Sequence, residues 1–410
     1  MESRRKKARA DATAGADTAA VHGLPDHLLA SIFLRLPSLL HLVRAACACR
    51  RWRRVAADGG FLRDFRALRV PGLVAGNFRV ARPKYGPRPP GSDPVFLPSP
   101  SSPVKDDFLP EQFSFDFLPE SGGGGQWEIA DGRGFLYLLL NEGTDATPFR
   151  FPGLVVCEPL TRRCMAIPPP AEFHGCRCFG AFLLDGEDTD TLGRVTLQRF
   201  RVLCALYRYG VATACVFSSS SGSGGGWTAA RCTADTGMEP LPGLCSIFFV
   251  GHSPRFAHWV TTGNSVLALD KDTAEFSLRR LPADMGRWNQ HSVVVIAGER
   301  GPVRMVGLGA GKLRVWRQEG SSGWILEARI RLSQFVAALP GYKECYFSRL
   351  GKIISVTRGR VIVLAPSDQA WVIAVDLKTM EFRLADGDRI REQTYPYELP
   401  WPPVKPCSVF

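Results

Sequence analysis

One hairpin pattern returns along the chain at nearly even intervals, and that recurrence narrows the fold more than any single residue does. Three segments align: "LVVCEPLTRRCMAI" at 154–167, "VLALDKDTAEFSL" at 266–278 and "VIAVDLKTMEFRL" at 372–384. Each has an apolar run, an acidic residue, a threonine three positions later and a second apolar run, the mark of two strands joined by a tight turn. Asp270 and Asp376 suit the turn because a carboxylate there accepts a hydrogen bond from the backbone N–H two residues on, and Thr273 and Thr379 are expected to accept likewise. In the first copy Glu158 takes the acidic place and Pro159 presets the next turn residue. Two further hairpins, "VFSSSSGSGGGWTAARC" and "VWRQEGSSGWILEARI", place Trp227 and Trp324 where the others have Cys164, Phe276 and Phe382. These five landmarks are 63, 49, 48 and 58 residues apart, close to one four-stranded propeller blade with generous loops. A β-sandwich also has many short strands, but it does not call for the same hairpin at an even interval. The stretch 126–410 is otherwise short β-favouring runs broken by Gly, Ser, Asp and Pro. We expect a mainly-β propeller domain with six blades favoured and five or seven open; neither WD nor kelch signatures are clear.

Residues 22–69 read differently. Leu24, Leu28, Ile32 and Leu36 recur every four positions with Leu29 and Phe33 beside them, the apolar stripe of a helix. Asp26 is expected to cap it and Pro37 to end it. Ser38 then caps a second helix burying Leu39, Leu42, Val43 and Ala46. A third follows over about Arg50 to Ala57 with Trp52 and Val55 inward, and Gly59-Gly60 stops it. Three short helices cannot enclose so many large side chains, so part of the stripe is expected to face another molecule. Full burial of an aliphatic side chain is worth about 1.5–3 kcal/mol, enough for a few to support an interface. Arg44, Arg50, Arg51, Arg53 and Arg54 would steer an acidic partner.

This stretch resembles the F-box. Leu24-Pro25-Asp26-His27-Leu28-Leu29, then Ile32, Leu36-Pro37, Leu42, Arg44 and Cys49-Arg50-Arg51-Trp52 stand in the family's order, and "FLRDF" after them is also typical. His27 departs from it, since the family usually has Glu or another polar residue there. The resemblance implies docking onto the acidic Skp-type adaptor of cullin-RING ubiquitin ligases through Leu24, Pro25, Leu28, Ile32, Leu36, Pro37, Leu42 and Trp52. The whole arrangement, a helical F-box followed by a degenerate propeller-like region, is similar to the large plant F-box families. It implies an α+β multidomain chain: a small N-terminal three-helix module and a mainly-β target-binding domain.

The remaining segments frame these two. Residues 1–20 are small and charged, a composition that does not fold; Arg4, Arg5, Lys6, Lys7 and Arg9 are a candidate nuclear-import signal, with plain solvated charge as the blander reading. Ten prolines from Pro83 to Pro119 make 70–125 read as a linker or irregular insertion that includes first-blade strands as an option. We therefore divide the chain into 1–20, 21–69, 70–125 and 126–410. The net charge is +12, and residues 1–70 hold 14 basic against 6 acidic side chains, so the β region is nearly neutral. That argues against a nucleic-acid stripe on the propeller. No apolar run reaches the 18 to 20 residues that cross a bilayer. Twelve irregularly spaced cysteines and no Asn-x-Ser/Thr sequon fit a reducing cytoplasmic or nuclear setting.

Chemistry is scarce. Cys176 and Cys178, and Cys47 and Cys49, are two apart rather than three, and the seven histidines show no metal-ligand spacing, so buried free thiols are expected and no metal or cofactor. "GLGAGK" at 307–312 lacks the first Gly and the Ser/Thr of a phosphate loop and reads as a hairpin turn. The acidic run Asp185, Glu187, Asp188, Asp190 has Arg199 at the twelfth position from Asp188 where a calcium loop needs Glu, so it reads as a solvated loop. The expected role is a non-catalytic specificity subunit of an SCF-type ubiquitin ligase, with a Skp-type adaptor and an unidentified target protein as partners. A basic nucleic-acid-binding protein and a propeller hydrolase are the alternatives.

Overall fold

A computed structural model describes residues 24–36, 39–68, 74–81, 94–100, 102, 109–119, 126–141, 151–170, 175–184, 196–208, 211–220, 225–228, 233–235, 247–253, 255–261, 264–286, 288–289, 291–297, 302–320, 323–347, 351–357, 361–366, 371–385 and 392–399. Four helices come first, α1 (Asp26–Leu34), α2 (Leu39–Ala48), α3 (Arg50–Ala56) and α4 (Gly59–Leu68). Leu29, Phe33, Leu42, Ala46, Val55, Phe61, Leu62 and Phe65 make their common core, which contains no residue of the β region. α3 ends at Ala56, ahead of Gly59-Gly60 as expected, but the unit has a fourth helix where three were expected. The two glycines open α4, because Asp58 caps it: its carboxylate accepts from the Phe61 N–H at 2.9 Å and its carbonyl from the Leu62 N–H.

The β region is a six-bladed propeller. Blade 1 holds β3 (Glu128–Arg133), β4 (Leu136–Asn141), β5 (Gly153–Glu158) and β6 (Arg163–Ile167). In blade 2, β7 (Arg177–Leu184), β8 (Arg201–Arg208) and β9 (Val211–Ser218) are followed by β10 (Gly226–Thr228) and β11 (Thr233–Asp235), which both pair with β9. Blade 3 is β12 (Ile247–His252), β13 (Phe256–Thr261), β14 (Ser265–Asp270) and β15 (Glu275–Arg280). Blade 4 is β16 (Val293–Ala297), β17 (Val303–Gly309), β18 (Lys312–Glu319) and β19 (Gly323–Arg331), followed by the short α5 (Leu332–Val336). Blade 5 is β20 (Lys352–Thr357), β21 (Val361–Ala365), β22 (Ile373–Asp376) and β23 (Glu381–Leu384).

The sixth blade closes the ring with strands from both ends of the domain. Its order is β2 (Val95–Pro98), β1 (Val74–Ala81), β24 (Glu392–Glu398). Both β1 and β2 lie inside 70–125, so this segment contributes blade strands as well as irregular chain. Phe113 and Leu118, farther along the same segment, enter the core shared by the sixth blade and the first.

The landmark residues Cys164, Phe276, Trp324 and Phe382 fall on β6, β15, β19 and β23, the last strand of blades 1, 3, 4 and 5, and Trp227 falls on β10, one of the two short strands beside β9 in blade 2. The aligned turns agree in detail. Asp270 Oδ1 accepts from the Asp272 N–H at 3.0 Å and Asp376 Oδ1 from the Lys378 N–H at 2.8 Å. Arg162, Ala274 and Met380 share a left-handed conformation (φ 53°, 59° and 60°) at the same turn position. The threonines depart from expectation. Thr161 donates its hydroxyl to Glu158 Oε2 at 2.5 Å, and Thr379 donates its backbone N–H to Asp376. In "GLGAGK", Ala310 and Gly311 carry φ 50° and 68° and form the tight β17–β18 turn.

Neighbouring blades pack face to face, and among the described residues five of the seams, all but that between blades 5 and 6, have an apolar core drawn from both blades. Blades 2 and 3 meet over Leu203, Leu267, Leu269 and Trp259, whose indole N–H donates to the Phe179 carbonyl at 3.2 Å. Blades 3 and 4 meet over Val260, Val266, Met305 and Trp316. Gly251 is required here: its φ is +139°, and a Cβ there would come within 2.2 Å of the Val295 carbonyl oxygen in the next blade.

Candidate functional site

The surface of the helical unit is set by how α1 divides its apolar residues. Leu29 and Phe33 turn into the core (1% and 2% exposed), and Phe33 meets the Trp52 ring edge-on at 5.4 Å. One residue away on the helical wheel in each case, Leu28 and Ile32 stay 43% and 48% exposed. They are four apart, so they form one apolar ridge along the outside of α1. Pro25 is exposed beside it, and Leu24 and Leu36 are half-buried at its ends.

Leu42 does not belong to this ridge. It is fully enclosed (0% exposed) within the common core of the helices. Trp52 is half-buried, and its indole N–H is shielded from water with no acceptor. Pro37 and Ser38 lie outside the described residues.

Charge frames the ridge. Asp26 is the first residue of α1 rather than its cap, a place taken by Pro25. Its carboxylate pairs instead with Arg51 at 2.7 Å and Arg54 at 3.2 Å, and the Arg51 guanidinium also bonds the Leu24 carbonyl. The Arg51 contact holds the Asp26 carboxyl below its ordinary pKa. Arg44, Arg50, Arg53 and Arg54 are exposed, so the unit presents an apolar ridge with a cationic border. Cys49 accepts the Trp52 N–H at the start of α3, a local role that its place in a Cys-x-Cys pair does not suggest.

Residues 21–65 match the F-box-like family model. The helical unit is an F-box-like domain. No curated protein matches the chain in sequence. Among solved structures, YCF48 bound to D1 peptide is similar at 8% identity and a TM-score of 0.36, over 65% of this chain and 68% of that one. The β-propeller domain of Cps50 (Swd1) from Myceliophteria thermophila is similar at 8% identity and a TM-score of 0.33, over 62% and 69%. BamB from Moraxella catarrhalis is similar at 14% identity and a TM-score of 0.25, over 48% and 50%. The propeller assignment stands on the strand pairing itself. F-box-like domain and propeller together fit an F-box substrate-recognition protein.

Among the described residues no group of three or more His, Cys, Asp or Glu is placed to hold a metal ion, and no helix is long and apolar enough to cross a membrane. Several thiols are buried, Cys157, Cys176, Cys204 and Cys215 among them, whereas Cys47, Cys164 and Cys345 are exposed against expectation. The acidic run 185–190 and the basic tail 1–20 lie outside the described residues.

The propeller holds one strongly displaced histidine. His258 on β13 is buried, its Nδ1 has no partner, and burial, with Arg279, Lys271 and His252 nearby, pushes its pKa down to about 3. In the unfolded chain it takes a proton near 6.5, so the unfolded state binds more protons below that pH. Its contribution to stability is therefore full above about pH 6.5 and is lost as pH falls toward 3. Denaturant unfolding is expected to show the propeller weaker at pH 5 than at pH 8 by about 2 kcal/mol from this group. His258→Gln should remove that part of the slope; an unchanged slope would contradict the assignment. His252 and His291 are lowered by burial too and act in the same direction.

Proposed function

We propose that the chain is a substrate-recognition subunit of an SCF-type cullin-RING ubiquitin ligase, working in the cytoplasm or nucleus. The F-box-like domain docks on a Skp-type adaptor, and the propeller holds a target protein within reach of a ubiquitin-charged enzyme, raising its effective concentration there. One observation carries this reading. Leu28 and Ile32 remain exposed although the helical core beside them is complete, so the ridge is surplus to folding and suited to a partner.

The adaptor contact is assigned to Leu24, Pro25, Leu28, Ile32, Leu36 and Trp52, with Pro37 carried over by resemblance alone. The exposed arginines favour an acidic partner surface and act mainly on the association rate. The subunit itself performs no chemistry in this scheme; the loops on the rigid propeller supply target contacts. The test is capture of a purified Skp-type adaptor by wild type and by the Leu28→Asp, Ile32→Asp double variant, with circular dichroism to verify that both are folded. Equal capture by a folded double variant would defeat the proposal.

A further inference from the structure

The seam between blades 3 and 4 carries more hydrogen-bond donors than acceptors. Val260 and Val266 of blade 3 share a core with Met305 and Trp316 of blade 4, so the rows containing them face each other. Arg279 is paired across the ladder with Val266, and His258 stands two residues before Val260 on the same side of its strand. On the opposing blade Arg314 stands two residues before Trp316 and is paired with Arg329, while Lys312 is paired with Arg331. Five cationic residues, Arg279, Lys312, Arg314, Arg329 and Arg331, thus lie on the two facing rows of the seam. Asp284 is the described carboxylate bonded there, and both its oxygens are engaged: Oδ1 accepts from Trp316 Nε1 and Oδ2 from Arg329, each at 2.9 Å.

Three nitrogens are left over. Nε of Arg279 and Nε of Arg314 are shielded from water with no acceptor, and so is Nδ1 of His258, whose residue is 1% exposed. Buried polar groups are nearly always satisfied, and an unpaired one is costly. Burial also depresses the Arg279 guanidinium below its ordinary pKa, since desolvation disfavours the charged form. A water molecule would satisfy the N–H groups but leave the excess positive charge in place.

We propose that this seam is an oxyanion site that takes a phosphate group between Arg279 of blade 3 and Arg314 of blade 4. Phosphate fits because it offers several acceptor oxygens and close to two negative charges to guanidinium groups approaching from different sides. The inference does not rest on adaptor docking, since the helical unit has a separate core and the site belongs to the propeller alone.

The test is calorimetric titration of the full chain, without adaptor, at constant ionic strength. The probes are inorganic phosphate, a phosphoserine peptide and its unphosphorylated twin, with chloride as control. Saturable binding of a phosphate-bearing probe is expected, weakened at least about 10-fold in Arg279→Gln and in Arg314→Gln. Arg304→Gln, a change at the far end of blade 4 where Arg304 pairs with Glu327, should leave it unaltered. Binding of inorganic phosphate as tight as that of the peptide assigns the site to a free ion, and tighter binding of the phosphopeptide assigns it to a modified protein. No saturable binding, an equal response to chloride, or full affinity in folded Gln variants overturns the proposal. If a Gln variant does not fold, Arg314→Lys replaces it: charge is kept, the fork is lost, and several-fold weaker binding is expected.

Discussion

A chain that lacks residues 392–410 is expected to keep its helical unit and lose its closed propeller. Strand β24 pairs with β1 over Val74 to Ala81 and supplies one of the three strands of the sixth blade. Its Tyr397 is fully buried with Phe78, Phe96, Phe113 and Tyr137 around it, at ring separations from 5.0 to 6.2 Å. Further bonds lace it to blade 1: Tyr137 Oη donates to the Pro396 carbonyl at 2.8 Å, Tyr395 Oη to the Ile129 carbonyl at 3.0 Å, and the Glu398 N–H to the Gly134 carbonyl. Truncating one buried aromatic costs about 3–5 kcal/mol, and removing the strand strips a ladder as well. That loss approaches the whole stability of a typical domain, about 5–15 kcal/mol. Limited proteolysis and size exclusion should show a protease-sensitive, expanded β region, and Tyr397→Ala should be an intermediate case with a lowered melting temperature. A truncated chain with native melting behaviour would refute this role for β24.

The second large effect concerns the ridge on α1. Leu28 and Ile32 are already about half-buried, so covering them yields roughly 1 kcal/mol each, half the value for full burial. Their replacement by Asp removes that gain and forces carboxylates against a partner surface, which costs several kcal/mol more if they cannot reach water. Adaptor affinity is expected to fall more than about 100-fold in the double variant, with the helical signal and melting temperature retained. Leu42→Ala is the instructive contrast. At a fully enclosed site it should destabilise the helical unit itself by about 2–5 kcal/mol, so any loss of adaptor would track unfolding. Surface plasmon resonance beside thermal melts separates the two: if Leu28→Asp, Ile32→Asp also collapses the helices, the ridge is structural.

The propeller was legible because its signal is local. Asp270, Asp376 and the residues after them form their turn from side chains within three positions, so the same letters return wherever the same hairpin does. The left-handed residues Arg162, Ala274 and Met380 escaped notice because none is glycine, the usual mark of that conformation. Strand β24 was invisible for the opposite reason: "EQTYPYE" pairs with residues at the far end of the domain and has no adjacent hairpin partner. Similarly, a stripe containing Leu28, Leu29, Ile32 and Phe33 is apolar throughout, and only the placement of α2, α3 and α4 decides that Leu29 and Phe33 turn inward. Leu42 was misplaced for that reason. Gly59-Gly60 marks the end of α3 correctly but conceals the start of α4, since glycine is a poor helix former and the Asp58 cap outweighs that tendency. The cations of the blade 3 and 4 seam lie on separate hairpins, so their proximity exists only in three dimensions.

Ring closure by the last described strand also sets a timetable for synthesis. The helices contact only one another in their core and can consolidate as soon as the ribosome releases them, while the sixth blade must wait for β24, more than 300 residues after β1. Translation halted anywhere before β24 would therefore yield a product with a finished handle and an unfinished receptor. By the reading given above, such a product would occupy the shared ligase machinery while delivering nothing to it, so cells would gain from rapid disposal of incomplete chains.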